Sequence, residues 1–253
     1  MNARVFLPKG TAKSLHRSLQ VYHGDKSRHP AMDAMYARFV RPGQLAFDIG
    51  SHVGDRISSF RRLGAKVVAL EPQPGCARAI QIIHGRDPMV TLVQAACGKE
   101  AGEVVLKINS ANPTVSTASD DFVKAAAGAG GWETQVWDQS IIVPCVTLDG
   151  LIATHGQPAF IKVDVEGFEL AVLEGLSSPV AALSFEFTTI QRDVAYACVE
   201  CLQDLGDYRF NIALGESQTF EFDRAISADE MILHIEALPH EANSGDVYAV
   251  LGG

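Results

Sequence analysis

Residues 47–55 read FDIGSHVGD, an acidic side chain followed by two glycines four positions apart. The residues just before, GQLAFDI, form a short apolar run of the kind a buried strand makes. Those just after, DRISSFRRLG, carry Ile57, Phe60 and Leu63 at helical spacing and stop at Gly64. The stretch is therefore a strand-to-helix turn with Asp48 at its lip. Gly50 lets the chain turn without a Cβ and lets a ligand approach the backbone. Gly54 stands at or near the start of the helix, whose unpaired N–H groups favour a carboxylate or phosphate.

Outward from this turn the chain alternates. Short apolar runs at 45–49, 67–70, 90–95, 160–165 and 182–187 predict strands; 55–63, 74–84, 168–176 and 192–205 predict helices. Continuous apolar strands alternating with helices imply a mostly parallel sheet covered on both faces. Two later runs, 208–214 and 247–251, are close enough to close one sheet edge, and an antiparallel hairpin is one way to do so. Residues 1–40 read as a helical lead-in ending at Pro42-Gly43, and 41–253 as the main domain. The alternation stops between Gly98 and Leu148, where GEVVLKI and IIVPCVTL flank a polar, glycine-bearing insertion at about 109–140. It holds both tryptophans, Trp132 and Trp137, and reads either as a decorated surface loop or as a lid over a pocket.

A second carboxylate, Glu71 in VVALEPQP, follows the second strand directly, twenty-three residues beyond Asp48. An acidic side chain there can accept both hydroxyls of a ribose. Ser51 and His52 stand where the dinucleotide fingerprint G-x-G-x-x-G has its middle glycine. A bulkier turn fronted by a carboxylate suits a ligand with an amino group and no pyrophosphate, such as S-adenosylmethionine. In AFIKVDVEGFELAVLEGL, period two puts Phe160, Lys162 and Asp164 on one side of the strand. A lysine inside a central strand needs a partner, and Asp164 or Glu186 of the next strand, ALSFEFTT, can supply it. Asp48, Glu71, Asp164, Glu166 and Glu186 all approach the same carboxyl edge, which favours a site over a scaffold.

Bulk composition narrows the partners. Twenty-one Lys plus Arg against thirty Asp plus Glu give a formal charge of −9, which argues against nucleic acid or an anionic membrane as the main partner. No apolar run approaches the roughly 20 residues of a membrane span, and the first residues show no secretory pattern. Five scattered cysteines suit reduced thiols in a cytoplasm. Cys198 and Cys201 form a CVEC pair, read as small core residues of an amphipathic helix because no second pair stands nearby to complete a zinc site.

Together FDIGSHVGD, VVALEPQP, LVQAACG, VTLDGLI and FIKVDVEGFELAVLEGL resemble the FkbM-type methyltransferases, with KVDVEGFE the most specific element. The resemblance implies an α/β, Rossmann-like class I methyltransferase fold: a mostly parallel seven-stranded sheet with an antiparallel last strand and helices on both faces. It also implies S-adenosylmethionine as methyl donor and O-methylation of a sugar or small natural product. By position, Asp48, Gly50, Ser51, His52 and Gly54 would hold the methionine end, Glu71 the ribose, and Gln94 and Ala96 the adenine. Lys162, Asp164 and Glu166 match the family's KxDxEG stretch beside the transferring methyl. Asp164 and Glu166 are the candidate bases, Glu186 the third and His52 a distant fourth. No metal ligand is assigned; Mg²⁺ on Asp164 and Glu186 is the less favoured alternative. A non-catalytic S-adenosylmethionine-binding protein and, less readily, an NAD(P)-dependent oxidoreductase remain the rival readings.

Overall fold

The computed structural model describes residues 11–252. The first ten residues of the lead-in expected over 1–40, and Gly253 of the main domain, lie outside the described residues. Ten strands are present among the described residues: β1 Leu45–Ile49, β2 Lys66–Leu70, β3 Val90–Val93, β4 Ala96–Cys97, β5 Gly102–Ile108, β6 Gln139–Val146, β7 Phe160–Val163, β8 Ala182–Thr188, β9 Tyr208–Leu214 and β10 Ser244–Leu251. The helices are α1 Thr11–Gly24, α2 His29–Tyr36, α3 Asp55–Arg62, α4 Pro74–His84, α5 Asp120–Ala126, α6 Leu148–His155, α7 Glu169–Leu173, α8 Arg192–Leu205 and α9 Ala228–Ala237.

Seven strands form the main sheet in the order β3-β2-β1-β7-β8-β10-β9. The pairs β3–β2, β2–β1, β1–β7 and β7–β8 are parallel, while β10 runs antiparallel to both β8 and β9. The last strand thus lies inside the sheet and β9 takes the edge. Period two sorts the strand side chains into two cores. Phe47, Ile49, Ile161 and Val163 join a cluster that includes Leu148 of α6, Val172 of α7, Leu202 of α8 and Ile235 of α9. Ala46, Val67 and Phe160 face the other way, with Tyr36 of α2, Phe60 of α3 and Ile80 of α4. Helices therefore cover both faces, as buried parallel strands require.

The chain winds from β1 outward through β2 to β3, then returns to place β7 on the other side of β1. That reversal opens a crevice at the carboxyl ends of β1 and β7, the place where ligands bind in such sheets. The strand-like runs GEVVLKI and IIVPCVTL supply β5 and most of β6, which pair antiparallel; β6 starts two residues earlier than its run and ends two earlier, and β4 joins it to make a separate three-stranded sheet. Two strands are shorter than their apolar runs. β3 stops at Val93 because the Ala95 amide turns back to the Val93 carbonyl at 3.0 Å. β7 stops at Val163 because the Val165 amide leaves the ladder for Glu169 Oε1, 3.0 Å away. Cys198 lies fully buried on α8, where an amphipathic helix puts it. No helix among the described residues is long and apolar enough to cross a membrane.

Candidate active site

The turn after β1 is tied down from two sides. The Gly50 and Ser51 amides both donate to the Leu70 carbonyl at the end of β2, at 3.0 and 2.9 Å, and Ser51 Oγ donates to the Asp48 carbonyl at 2.8 Å. Gly50 has φ +85°, and a Cβ built on it would stand 1.7 Å from the Asp164 carbonyl oxygen. The sequence suggests that Gly50 admits a ligand; the structure shows that it first admits the end of β7.

Asp48 is 1% exposed, and its Oδ2 has no hydrogen-bond partner among the described residues. Burial, assisted by the charge of Asp55, pushes its pKa up to about 7 against the pull of Lys162. Glu71 is equally buried; its Oε1 accepts the Gln73 amide at 2.7 Å. Burial raises it to about 8, although backbone N–H groups of Gln73 and His52 favour its charged form. His52, in the turn between them, lies near Cys76 Sγ (3.5 Å) and Thr114 Oγ1 (3.4 Å), edge-on to Tyr22. Burial lowers its pKa to about 4, so the imidazole is neutral and ill suited to act as a base at neutral pH.

These shifts fix a pH dependence. A carboxyl raised in the folded state stabilises it below the unfolded pKa and loses that contribution as pH rises through the folded pKa. Neutral burial of His52 works in the opposite sense below about pH 6.5, so the carboxyl window lies above it, where Glu169, raised to about 7 by burial, adds to the same loss. The ligand-free protein is expected to lose on the order of 2 kcal/mol between about pH 6.5 and pH 8.5. Urea unfolding at the two pH values measures this; stability flat or rising across the window contradicts the burial of both carboxyls.

A cavity of about 880 Å³, counted to its open mouth, joins these groups. Asp48, Gly50, Ser51, His52, Glu71, Ala96, Lys162, Asp164 and Glu166 line it; Gly54, Gln94 and Glu186 do not. Gln94 is exposed, because the turn after β3 sends its side chain out and brings Ala95 and Ala96 in. Gly54 is the left-handed cap of α3, φ +84°, and receives His84 Nε2 at its carbonyl.

At the other end of the cavity Lys162, 1% exposed, reaches Asp164 Oδ2 at 3.0 Å and Asp246 Oδ1 at 2.8 Å. Its second partner is Asp246, not the expected Glu186. Burial disfavours the ammonium, but the two carboxylates outweigh it and hold its pKa well above the usual lysine range. Burial likewise opposes the charge on Asp164, and Lys162 outweighs it, keeping this carboxyl below its ordinary value. Glu166 and Glu186 are pushed well above theirs by burial and by Asp164. Carboxylate oxygens of Asp164, Glu166 and Glu186 lie within 4.8 Å of one another. Glu166 sits at φ +56°, a conformation uncommon outside glycine, and Thr117 Oγ1 pins its carbonyl at 2.6 Å.

Residues from distant segments complete the walls. Tyr22 comes from α1, which is anchored by His23 Nε2 against the Val53 carbonyl at 2.8 Å. Arg56 pairs with Asp55 at 2.6 Å and with both oxygens of Glu216 at 2.8 and 2.9 Å. Thr114 and Ser116 of the insertion face the cavity, and Gln73 bonds the Pro113 carbonyl and the Ser116 hydroxyl. The tryptophans do not line it. Trp132 and Trp137 pack edge-on to Phe122, and Trp137 Nε1 donates to the Val115 carbonyl, so they brace the lining segment from behind.

The family profile described as the methyltransferase FkbM domain matches residues 48–241. Similar solved structures include a TehB-like SAM-dependent methyltransferase from Corynebacterium glutamicum, 9% identical, with TM-score 0.48 over 96% of this chain and 98% of that one. The precorrin-6y C5,15-methyltransferase from Geobacter metallireducens is 14% identical, with TM-score 0.45 over 87% of each chain. An O-methyltransferase from Bacillus cereus in complex with SAH is 12% identical, with TM-score 0.44 over 98% of this chain and 94% of that one. No curated protein matches the sequence.

Proposed function

The chain belongs to the FkbM methyltransferase domain family, and from that premise we propose that it transfers the methyl group of S-adenosylmethionine to a hydroxyl of a sugar or small natural product. The observation that carries this reading is Asp48 Oδ2, a buried carboxylate oxygen without a donor on the wall of the cavity. Such an oxygen is costly unless a ligand supplies the missing hydrogen bond, and an α-ammonium does so with charge. Glu71, one strand over at the end of β2, would accept the ribose hydroxyls. Gly50, Ser51 and His52 flank the methionine end with Gly54 behind them, and Ala96 borders the adenine in place of Gln94.

When bound, S-adenosylmethionine supplies an electrophilic methyl on a sulfonium. The chain's part is to align an acceptor oxygen with it and remove the proton. Asp164 is the candidate for that proton: Lys162 keeps it ionised, and its side chain is 33% exposed toward the cavity. Glu166 lies beside it as the second candidate, and Glu186 stands behind. Lys162 orients Asp164 and holds its charge.

Calorimetry with S-adenosylhomocysteine tests the assignment. The intact protein is expected to bind it and to ignore NADH. Glu71→Ala is expected to weaken binding roughly tenfold or more, since two hydrogen bonds to its carboxyl are lost. Asp164→Asn is expected to keep the binding and lose methyl transfer. NADH binding with S-adenosylhomocysteine silent would overturn the reading in favour of an oxidoreductase. Transfer surviving Asp164→Asn would remove Asp164 as the base.

A further inference from the structure

We propose that Asp164, Glu166 and Glu186 together hold one divalent, oxygen-seeking cation at the inner end of the cavity. Oxygens from the three carboxylates lie within 4.8 Å of one another. Two oxygens opposite each other on an octahedral ion at about 2.1 Å are about 4.2 Å apart, so sub-ångström side-chain movement brings all three onto one centre. All the donors are carboxylate oxygens, which selects Mg²⁺, Mn²⁺ or Ca²⁺ over softer metals.

A second observation separates this cluster from an ordinary acidic patch. Glu186 Oε2 is fully buried with no hydrogen-bond partner among the described residues. Glu166 is 6% exposed, and no described residue donates to its carboxylate. The buried cations nearby among the described residues are already committed: Lys162 bonds Asp164, Asp246 and the Val163 carbonyl, and Arg56 bonds Asp55 and Glu216. Three carboxylates this close, two of them without a donor, need shared protons or a metal ion. Asp164 and Glu186 are both partly exposed, and Asp164, which lines the cavity with its side chain 33% exposed, opens the centre toward it, so ligand positions remain there for water or for an acceptor's oxygen. That use at the acceptor end rests on the methyl-transfer reading; the cation site itself does not.

The test uses the full chain stripped with EDTA and titrated with Mn²⁺ at pH 7.5, free Mn²⁺ being read by electron paramagnetic resonance. One site per chain is expected, weakened about tenfold or more in Glu186→Gln and in Glu166→Gln. Thermal melting in EDTA checks that both variants fold; neither is expected to melt below the parent, because each removes a carboxylate from a crowded buried cluster. Mn²⁺ should raise the melting temperature of the parent and raise that of the variants less. No Mn²⁺ uptake, or uptake indifferent to both substitutions, overturns the proposal. S-adenosylhomocysteine titrated into the stripped protein reads the methyl-donor assignment separately. Binding there with Mn²⁺ silent rejects the cation site alone, and the reverse result rejects the methyl-donor reading alone.

Discussion

A Gly50→Ala variant is expected to lose ~3 kcal/mol or more of folding stability and, where it still folds, to bind S-adenosylhomocysteine poorly. Two costs combine. The residue holds φ +85°, which an alanine adopts only with strain, and its new Cβ would fall 1.7 Å from the Asp164 carbonyl oxygen. The carbonyl cannot step aside freely, since the Asp164 amide is bonded to Ile49 at 2.9 Å and its side chain to Lys162. Relief must therefore come from spreading the carboxyl ends of β1 and β7, where the candidate site lies. Gly43 supplies the control: its φ is +83° and nothing stands within 4 Å of a built Cβ. Gly43→Ala is expected to cost about 1 kcal/mol, the conformational part alone. Urea unfolding of both variants separates the terms. Equal losses at the two positions would mean that β7 yields to the methyl and that the close approach does not constrain the turn.

That contrast also marks how far the sequence could be read. The alternation of apolar runs and helices located all seven strands of the main sheet, and a glycine turn behind Asp48 located its switch point. Glu71 was legible as a cavity residue because it directly follows a parallel strand, at the carboxyl edge where ligands bind. Asp246 was not. It lies eighty-four residues beyond Lys162, near the start of the antiparallel strand β10, and reversal of that strand brings its beginning to the edge where the other strands end. Only the strand order makes the two neighbours. Arg56 and Glu216 escaped for a similar reason: one sits in the first turn of α3, the other in the loop after β9, and neither has a local pattern. The tryptophans misled in part, because a bulky side chain in a polar insertion signals burial without saying what it is buried against.

Lys162→Met is expected to be the other costly substitution, lowering stability by ~3–5 kcal/mol near neutral pH. The native ammonium sits between Asp164 and Asp246, and the hydrophobic replacement leaves both carboxylates without their counter-charge. Asp246 suffers most, being 6% exposed, whereas the Asp164 side chain can take up water from the cavity. Its pKa is already raised by burial even with Lys162 beside it. Without that lysine the folded-state pKa rises further above the unfolded value. The neutral acid then fits the folded state, and the penalty appears as pH climbs through the new folded pKa. The deficit relative to the parent should therefore be larger at pH 8 than at pH 5. A second change, Asp246→Asn, made in the Lys162→Met background removes the stranded charge and should restore part of the loss at pH 8 while changing little at pH 5. Denaturation of the parent, both single variants and the double variant at the two pH values gives the coupling directly. A Lys162→Met protein as stable as the parent, or a double variant no better than the single, would show that the buried ammonium is not what balances Asp246. With Lys162 absent, Asp164 also loses the charge that keeps it ionised, so residual methyl transfer should move to higher pH, in step with the stability profile.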